Sequence, residues 1–167
     1  SSGGIIECAV TGMPAGIGET VFDKLDAGLA KAVMSVGAVK GVEIGDGFRA
    51  AVATGSTNND AFQAADGQVT KKTNHSGGIL GGMSDGSTIL LRAAVKPTPS
   101  IARPQETVDR SGSNTEITIT GRHDPVIVPR AVVVIESMVA VTLADLLMAN
   151  MSARMEWLER FYCNRGK

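Results

Sequence analysis

Between Gly77 and Ser100 the chain sets five glycines, at 77, 78, 81, 82 and 86, ahead of one cation and two hydroxyls, Lys96, Thr98 and Ser100. Glycines without a Cβ let backbone N–H groups close around an anion, and a lysine with neighbouring hydroxyls adds charge-assisted hydrogen bonds. That combination suits a phosphate, or the phosphate tail of a flavin. Neither GxxxxGK[ST] nor GxGxxG occurs here, and a plain structural hairpin is the other reading of the glycines. A second cluster, Gly121-Arg122-His123-Asp124-Pro125, places a cation, an imidazole and a carboxylate in consecutive positions ahead of Val126 to Val128. Such a cluster at an element's end is a functional candidate. Its bland reading is a helix-entry loop in which Asp124 pairs with Arg122.

The elements that must position these groups follow from periodicity. Ile89, Leu91, Ala93 and Val95 alternate within Ser87 to Lys96, so this run is a strand that delivers Lys96 at its end, beside the glycine loop. Ile5 to Thr11 is a second strand, broken by MPAGIGE. From Thr20, Phe22, Leu25, Leu29, Ala32, Val33 and Val36 fall at helical spacing, with Gly37 as the stop. Val39 to Ile44 is a strand, Gly45-Asp46-Gly47 a turn, and Phe48 to Ala53 its expected partner strand. Gly55 to Lys72 is polar and aperiodic, which predicts a long loop, either a binding segment or a surface loop. Thr107 to Asp109 and Glu116 to Thr120 flank RSGSN as a hairpin. Ala131 to the Asn150 region is apolar nearly all round and predicts a core helix buried on several sides. Met151 to Tyr162 predicts an amphipathic tail.

A chain of 167 residues carrying a formal net charge of −1 and 4% aromatic residues is expected to form a single unit over 1–167. Scattered basic residues and few stacking rings argue against a nucleic-acid partner. Glu136 and Asp145 interrupt the long apolar segment, which favours a buried helix over a membrane span. Cys8 and Cys163 have no metal-type spacing, and the chain has no secretory opening, so reduced thiols and a cytoplasmic location are expected. Ser1-Ser2-Gly3-Gly4 runs almost directly into strand without an initiator methionine, as though cut from a longer chain.

PAGIGETVFDKLDAGLAKAVMSVGAVKGVEIGDGF, TNHSGGILGGMSDG, AVKPTPSI and GRHDPVIVPRAVVVIESMVA occur here in one order, spanning Pro14 to Leu147 for the most part. These blocks resemble the C-terminal part of the chorismate synthase family. The resemblance implies an α+β fold, antiparallel sheets packed on a buried helical layer as a partial β-α-β sandwich, assembled as a homotetramer. It implies reduced FMN as cofactor, and conversion of 5-enolpyruvylshikimate 3-phosphate to chorismate and phosphate by anti-1,4 elimination in aromatic amino acid biosynthesis. Matching positions imply FMN contacts at Gly37, Ala38, Gly81, Lys96, Pro97, Thr98, Pro99, Ser100 and Arg122, with Asp124 as the carboxylate near the flavin N5. His123 receives no catalytic role. The family's N-terminal part, with two histidines, substrate-gripping arginines and an arginine-serine-serine segment, is absent, so these residues alone are expected to be inactive. Val133 stands where many relatives carry proline. A noncatalytic flavin-binding or oligomerisation domain of the same fold is the alternative, and Asp124 favours the enzyme, since tethering a flavin needs no carboxylate.

Overall fold

The computed structural model describes residues 1–65 and 67–163. β1 (Gly4–Val10), α1 (Leu25–Met34) and β2 (Val39–Ile44) come first, followed by a 3-10 segment (Gly47–Val52) and the single turn α2 (Gly55–Asn58). Four short strands follow, β3 (Phe62–Ala65), β4 (Gln68–Lys71), β5 (Ile79–Leu80) and β6 (Met83–Ser84), and then β7 (Ile89–Val95). β8 (Gln105–Val108), β9 (Asn114–Ile117), α3 (Val128–Asn150) and α4 (Met155–Cys163) complete the order. The fold is α+β.

β7 is the middle strand of a three-stranded antiparallel sheet ordered β1-β7-β2. Its alternation works as the sequence predicts. Ile89, Leu91, Ala93 and Val95 are buried, while Leu90, Arg92 and Ala94 face the other way. Because the side-chain period is two, the register Cys8 to Leu91 and Ile44 to Leu91 puts matching faces together. The apolar face receives Leu25, Leu29 and Val33 of α1 and Ile135, Val139 and Leu143 of α3, a stripe at i, i+4, i+8 on each helix. Arg92 and Glu43 pair at 2.6 Å on the opposite face.

Several expectations change. The first helix starts at Leu25, where the Leu25 amide donates to Gly82 O at 2.8 Å, so Phe22 precedes the helix and is 91% exposed. Phe48 to Ala53 does not continue a hairpin. Asp46 holds Arg49, Asn58 and His75, and the Arg49 amide bonds Asp46 O at 3.0 Å, which winds this stretch into a 3-10 turn. Gly55 to Lys72 is not a long loop; it contains α2 and the β3–β4 hairpin, with Asp66 outside the described residues. The RSGSN turn forms, Asp109 Oδ1 accepting from the Ser111 and Ser113 amides at 2.8 and 2.9 Å, but the strands it joins sit at Gln105–Val108 and Asn114–Ile117. The long apolar helix is buried along one stripe only. Val132, Val133, Val141 and Met148 are exposed, and the helix is long and apolar enough to cross a membrane by length and composition. In this chain, then, the helical layer carries a sheet on one side.

Candidate functional site

The start of the glycine-rich turn is not an open anion cradle. The amides of His75 and Ser76, which lead into it, are already taken by the chain's own carboxylate. Asp60 Oδ1 accepts from the His75 amide at 2.8 Å and from Thr73 Oγ1 at 2.6 Å, and Oδ2 accepts from the Ser76 amide at 2.9 Å. The Gly78 amide donates to Asn74 Oδ1 at 2.8 Å, and a Cβ on Gly78 (φ +77°) would lie 2.6 Å from Thr88 O, so this glycine serves close packing. Beneath the turn, Lys71 Nζ reaches Asp85 Oδ2 at 2.6 Å, Ser76 Oγ at 2.9 Å, Asn74 Oδ1 at 3.3 Å and Asp60 Oδ2 at 3.4 Å. Burial opposes the charge on Asp60 and Asp85. Hydrogen bonds from Thr73, Ser76 and His75 to the first, and from Lys71 and Ser87 to the second, outweigh it and hold both carboxyls below their ordinary range. Nearby, His75 Nδ1 lies 2.7 Å from Asp46 Oδ2 and pulls that carboxyl down as well. None of these partners was singled out by sequence. Carboxylates and a lysine spread over positions 46 to 85 carry no periodic signal.

The strand also separates what the sequence seemed to join. The turn meets β7 at its start, where the Leu90 amide bonds Gly77 O, whereas Lys96 follows its last residue, roughly 20 Å away at ~3.3 Å per residue. Lys96 therefore does not stand beside the glycine loop. At the Lys96 end, the Lys96 amide donates to Ala38 O at 2.9 Å, which places Gly37 and Ala38, in the α1–β2 turn, next to it. The Lys96 side chain is exposed and has no ion-pair partner among the described residues. Gly81 lies at the opposite end of α1, beside Gly82 and Lys24, with nothing within 4 Å of a Cβ built on it. Within one chain, Gly81 is not brought to Lys96.

Beyond Lys96, residues 100–103 face Gly121, His123, Asp124 and Pro125 across a cleft of about 660 Å³ that Ser1 also lines. Three bonds fix its walls. Ser1 Oγ donates to Thr98 O at 2.6 Å, the Ser2 amide to Pro125 O at 2.9 Å, and Gln105 Nε2 to Pro99 O at 3.1 Å. Ser2 also bridges Val126 in parallel. Asp124 and Ser100 thus share a cavity, while Lys96, Arg122, Pro97, Thr98 and Pro99 lie outside its lining. Asp124 pairs with Arg130, one turn into α3, and not with Arg122. Arg122 is exposed without an ion-pair partner among the described residues. One group in this cleft was missed, Arg103, which lies outside any periodic element, while His123, assigned no catalytic role from sequence, has a buried Nε2 with no hydrogen-bond partner among the described residues.

A family model described as "Chorismate synthase" matches residues 1–148. The chorismate synthase of Agathobacter rectalis is 65% identical over 162 residues, covering 97% of this chain and 44% of that protein. The chorismate synthase of Methanosarcina barkeri is 59% identical over 146 residues, covering 87% of this chain and 40% of its own length. A solved structure titled "Crystal Structure of Chorismate Synthase" superposes with a TM-score of 0.72 at 32% identity, over 97% of this chain and 42% of that one. The chain spans less than half the length of these relatives.

Proposed function

The chain belongs to the chorismate synthase family, and from that membership we propose that it is the flavin-holding part of an enzyme that eliminates phosphate from 5-enolpyruvylshikimate 3-phosphate to give chorismate. The observation that carries this reading is the gathering of Ala38, Lys96, Ser100 and Asp124 at one end of the β1-β7-β2 sheet. Their chemistry fits an anionic, ring-bearing cofactor: an exposed lysine without an ion-pair partner among the described residues, hydroxyls, a carboxylate at a cavity wall and an orphaned imidazole nitrogen. Reduced FMN, when bound, supplies an electron that is lent and recovered, so that the elimination has no net redox change.

In this reading Lys96 neutralises the cofactor phosphate, with Thr98 and Ser100 as hydroxyl partners and Arg122 as a second cation. Pro97 and Pro99 stiffen the segment, since proline fixes φ and lowers the entropy lost on ordering. Gly37 and Ala38 offer backbone at the turn, and Ala38 already holds a left-handed φ of +71°. Asp124 holds and releases a proton at the flavin N5, steadied by Arg130. Gly81 joins such a site only from a second copy, which is consistent with the homotetramer that the family resemblance implies. The exposed side of α3, with Val132, Val133 and Val141, is the natural seat for the remaining length of the relatives. A cytoplasmic location accords with a biosynthetic role.

The test is anaerobic phosphate release from 5-enolpyruvylshikimate 3-phosphate with reduced FMN. A protein of the relatives' full length should turn over, and the 167 residues alone should not. General acid and base groups contribute about 10²–10⁴-fold each, and those expected in the family's other part are absent. A folded, FMN-loaded full-length protein that releases no phosphate refutes the reading.

A further inference from the structure

The two edges of the main sheet are built differently. In the order β1-β7-β2, the edge strand β2 carries Lys40 on a bulge between Val39 and Gly41. A lysine and a bulge both blunt an edge against a neighbour. β1, GIIECAV, has neither, and no proline, and runs from Gly4 to Val10 in unbroken register with β7. The direction of its free groups follows from β7. The Leu90 amide donates to Gly77 O and the Leu90 carbonyl accepts from the Gly45 amide, so Leu90, Arg92 and Ala94 aim their backbone groups at the β2 side. The alternate residues Leu91 and Ala93 aim theirs at Cys8 and Ile6. The N–H and C=O groups of Ile5, Glu7 and Ala9 therefore face outward, with no backbone partner among the described residues. Beside this edge runs a groove of about 410 Å³, apolar where Ile6, Cys8 and Val10 meet Val132, Val139 and Ala140 of α3. Its two charged residues, Glu7 and Glu136, are both acidic, and neither has an ion-pair partner among the described residues. Burial and the Glu136 carboxylate push the Cys8 thiol up from its ordinary value, so the groove offers no ready nucleophile.

We infer that β1 receives a further strand from the length of the full protein outside this chain, laid along Ile5 to Ala9 with apolar side chains in the groove and a lysine or arginine against Glu136. Main-chain bonds to Ile5, Glu7 and Ala9 would hold the added strand, and the groove would select its alternate side chains. The relatives have the chain to supply it, since more than half of the Agathobacter rectalis protein lies outside the matched region. A second copy is the poorer occupant. Pairing two β1 strands antiparallel over their whole length sets Glu7 opposite Glu7, and like charges directly opposite are destabilising. A segment of different sequence, carrying a cation, avoids that repulsion. The inference rests on the family membership and on the seating of the remaining length beside α3, and is independent of the flavin contacts.

Amide hydrogen exchange, read residue by residue in a protein of the relatives' full length, tests this. The amides of Ile5, Glu7 and Ala9 should exchange at least ~10²-fold more slowly than unpaired amides, at every protein concentration. Ala9→Pro removes one outward N–H and no bond to β7. It should speed exchange at Ile5 and Glu7 at least about tenfold, while a slow Leu91 amide reports that the sheet is intact. Glu136→Lys, which sets a cation against the occupant's cation, should speed the same amides about twofold or more. If Ala9→Pro does not fold, the wild-type rates and Glu136→Lys decide. Unprotected amides at Ile5, Glu7 and Ala9 in a folded protein that binds FMN overturn the inference and leave the flavin reading standing. Protection that appears only as protein concentration rises assigns the edge to a second copy and also overturns it, as do unchanged rates in a folded Ala9→Pro or in Glu136→Lys. Protection at all concentrations in a protein that binds no FMN supports the added strand while the flavin reading fails.

Discussion

Replacing Lys71 with methionine should remove the pin under the glycine turn while keeping most of the side chain's length and apolar stem. The lysine side chain is 3% exposed and faces Asp60 and Asp85, 5% and 9% exposed, so its charge cannot be replaced by bulk water without opening the turn. Removing one partner of a buried ion pair costs about 3–5 kcal/mol, because the other charge is stranded. Asp85, at 2.6 Å, carries most of that here. Asp60, at 3.4 Å, keeps its bonds from Thr73, His75 and Ser76, which favours the lower end, about 3 kcal/mol. The effect should depend on pH. Both carboxyls have folded-state pKa values below their ordinary 3.8, so their stabilisation is present above that value and is lost as pH falls through it toward the folded pKa. Without Lys71 the stranded carboxylates protonate more readily, so the penalty should be full near neutrality and shrink below about pH 4. Urea denaturation of wild type and Lys71→Met at several pH values measures this. A loss under about 1 kcal/mol at neutral pH, or one that does not change with acid, would refute the account of Lys71 as a charge pin.

Two further predictions concern the proposed site in a protein of the relatives' full length. Lys96→Ala should leave the fold intact and weaken FMN by one to two decades, the equivalent of about 1.5–3 kcal/mol for a charge-assisted contact; an unchanged Kd in a flavin titration removes Lys96 from the phosphate site. Asp124→Asn should retain FMN and the Arg130 contact, since an amide oxygen still accepts a hydrogen bond, while turnover falls at least ~10²-fold. Normal turnover per flavin-loaded molecule, combined with a lower melting temperature, would make Asp124 a structural partner of Arg130.

Much of the fold is visible in spacing alone. The alternation from Ile89 to Val95 and the stripe Leu25, Leu29, Val33 each declare a buried face, and the structure buries them. What spacing cannot convey is which polar groups meet. Asp60 and the amides of His75 and Ser76 are far apart in the chain, and their union turned an apparent phosphate cradle into an internal bracket. The same limit affected α3. An all-round apolar sequence states that burial is needed but not what provides it, and here one stripe is covered by α1 and the sheet. For the site, the Lys96 to Ser100 run and the GRHD block are legible as clusters because their members are adjacent. Their facing each other is not, since it depends on Ser1 and Ser2 lacing the two segments together.

The two walls of that cleft are joined in the chain by the β8–β9 hairpin, whose residues are exposed apart from the half-buried Gln105 and whose tip is tied by Asp109 to its own loop. This makes the hairpin a spacer. Lengthening a flexible loop costs only about 0.6 kcal/mol for each doubling, so the tip can gain or lose residues with little effect on the walls. β7 has no such latitude. A one-residue insertion there would turn Ile89, Leu91 and Ala93 out of the core and carry Lys96 to the other face of the sheet. Length variation within this lineage should therefore gather at 109–113 and avoid 89–96.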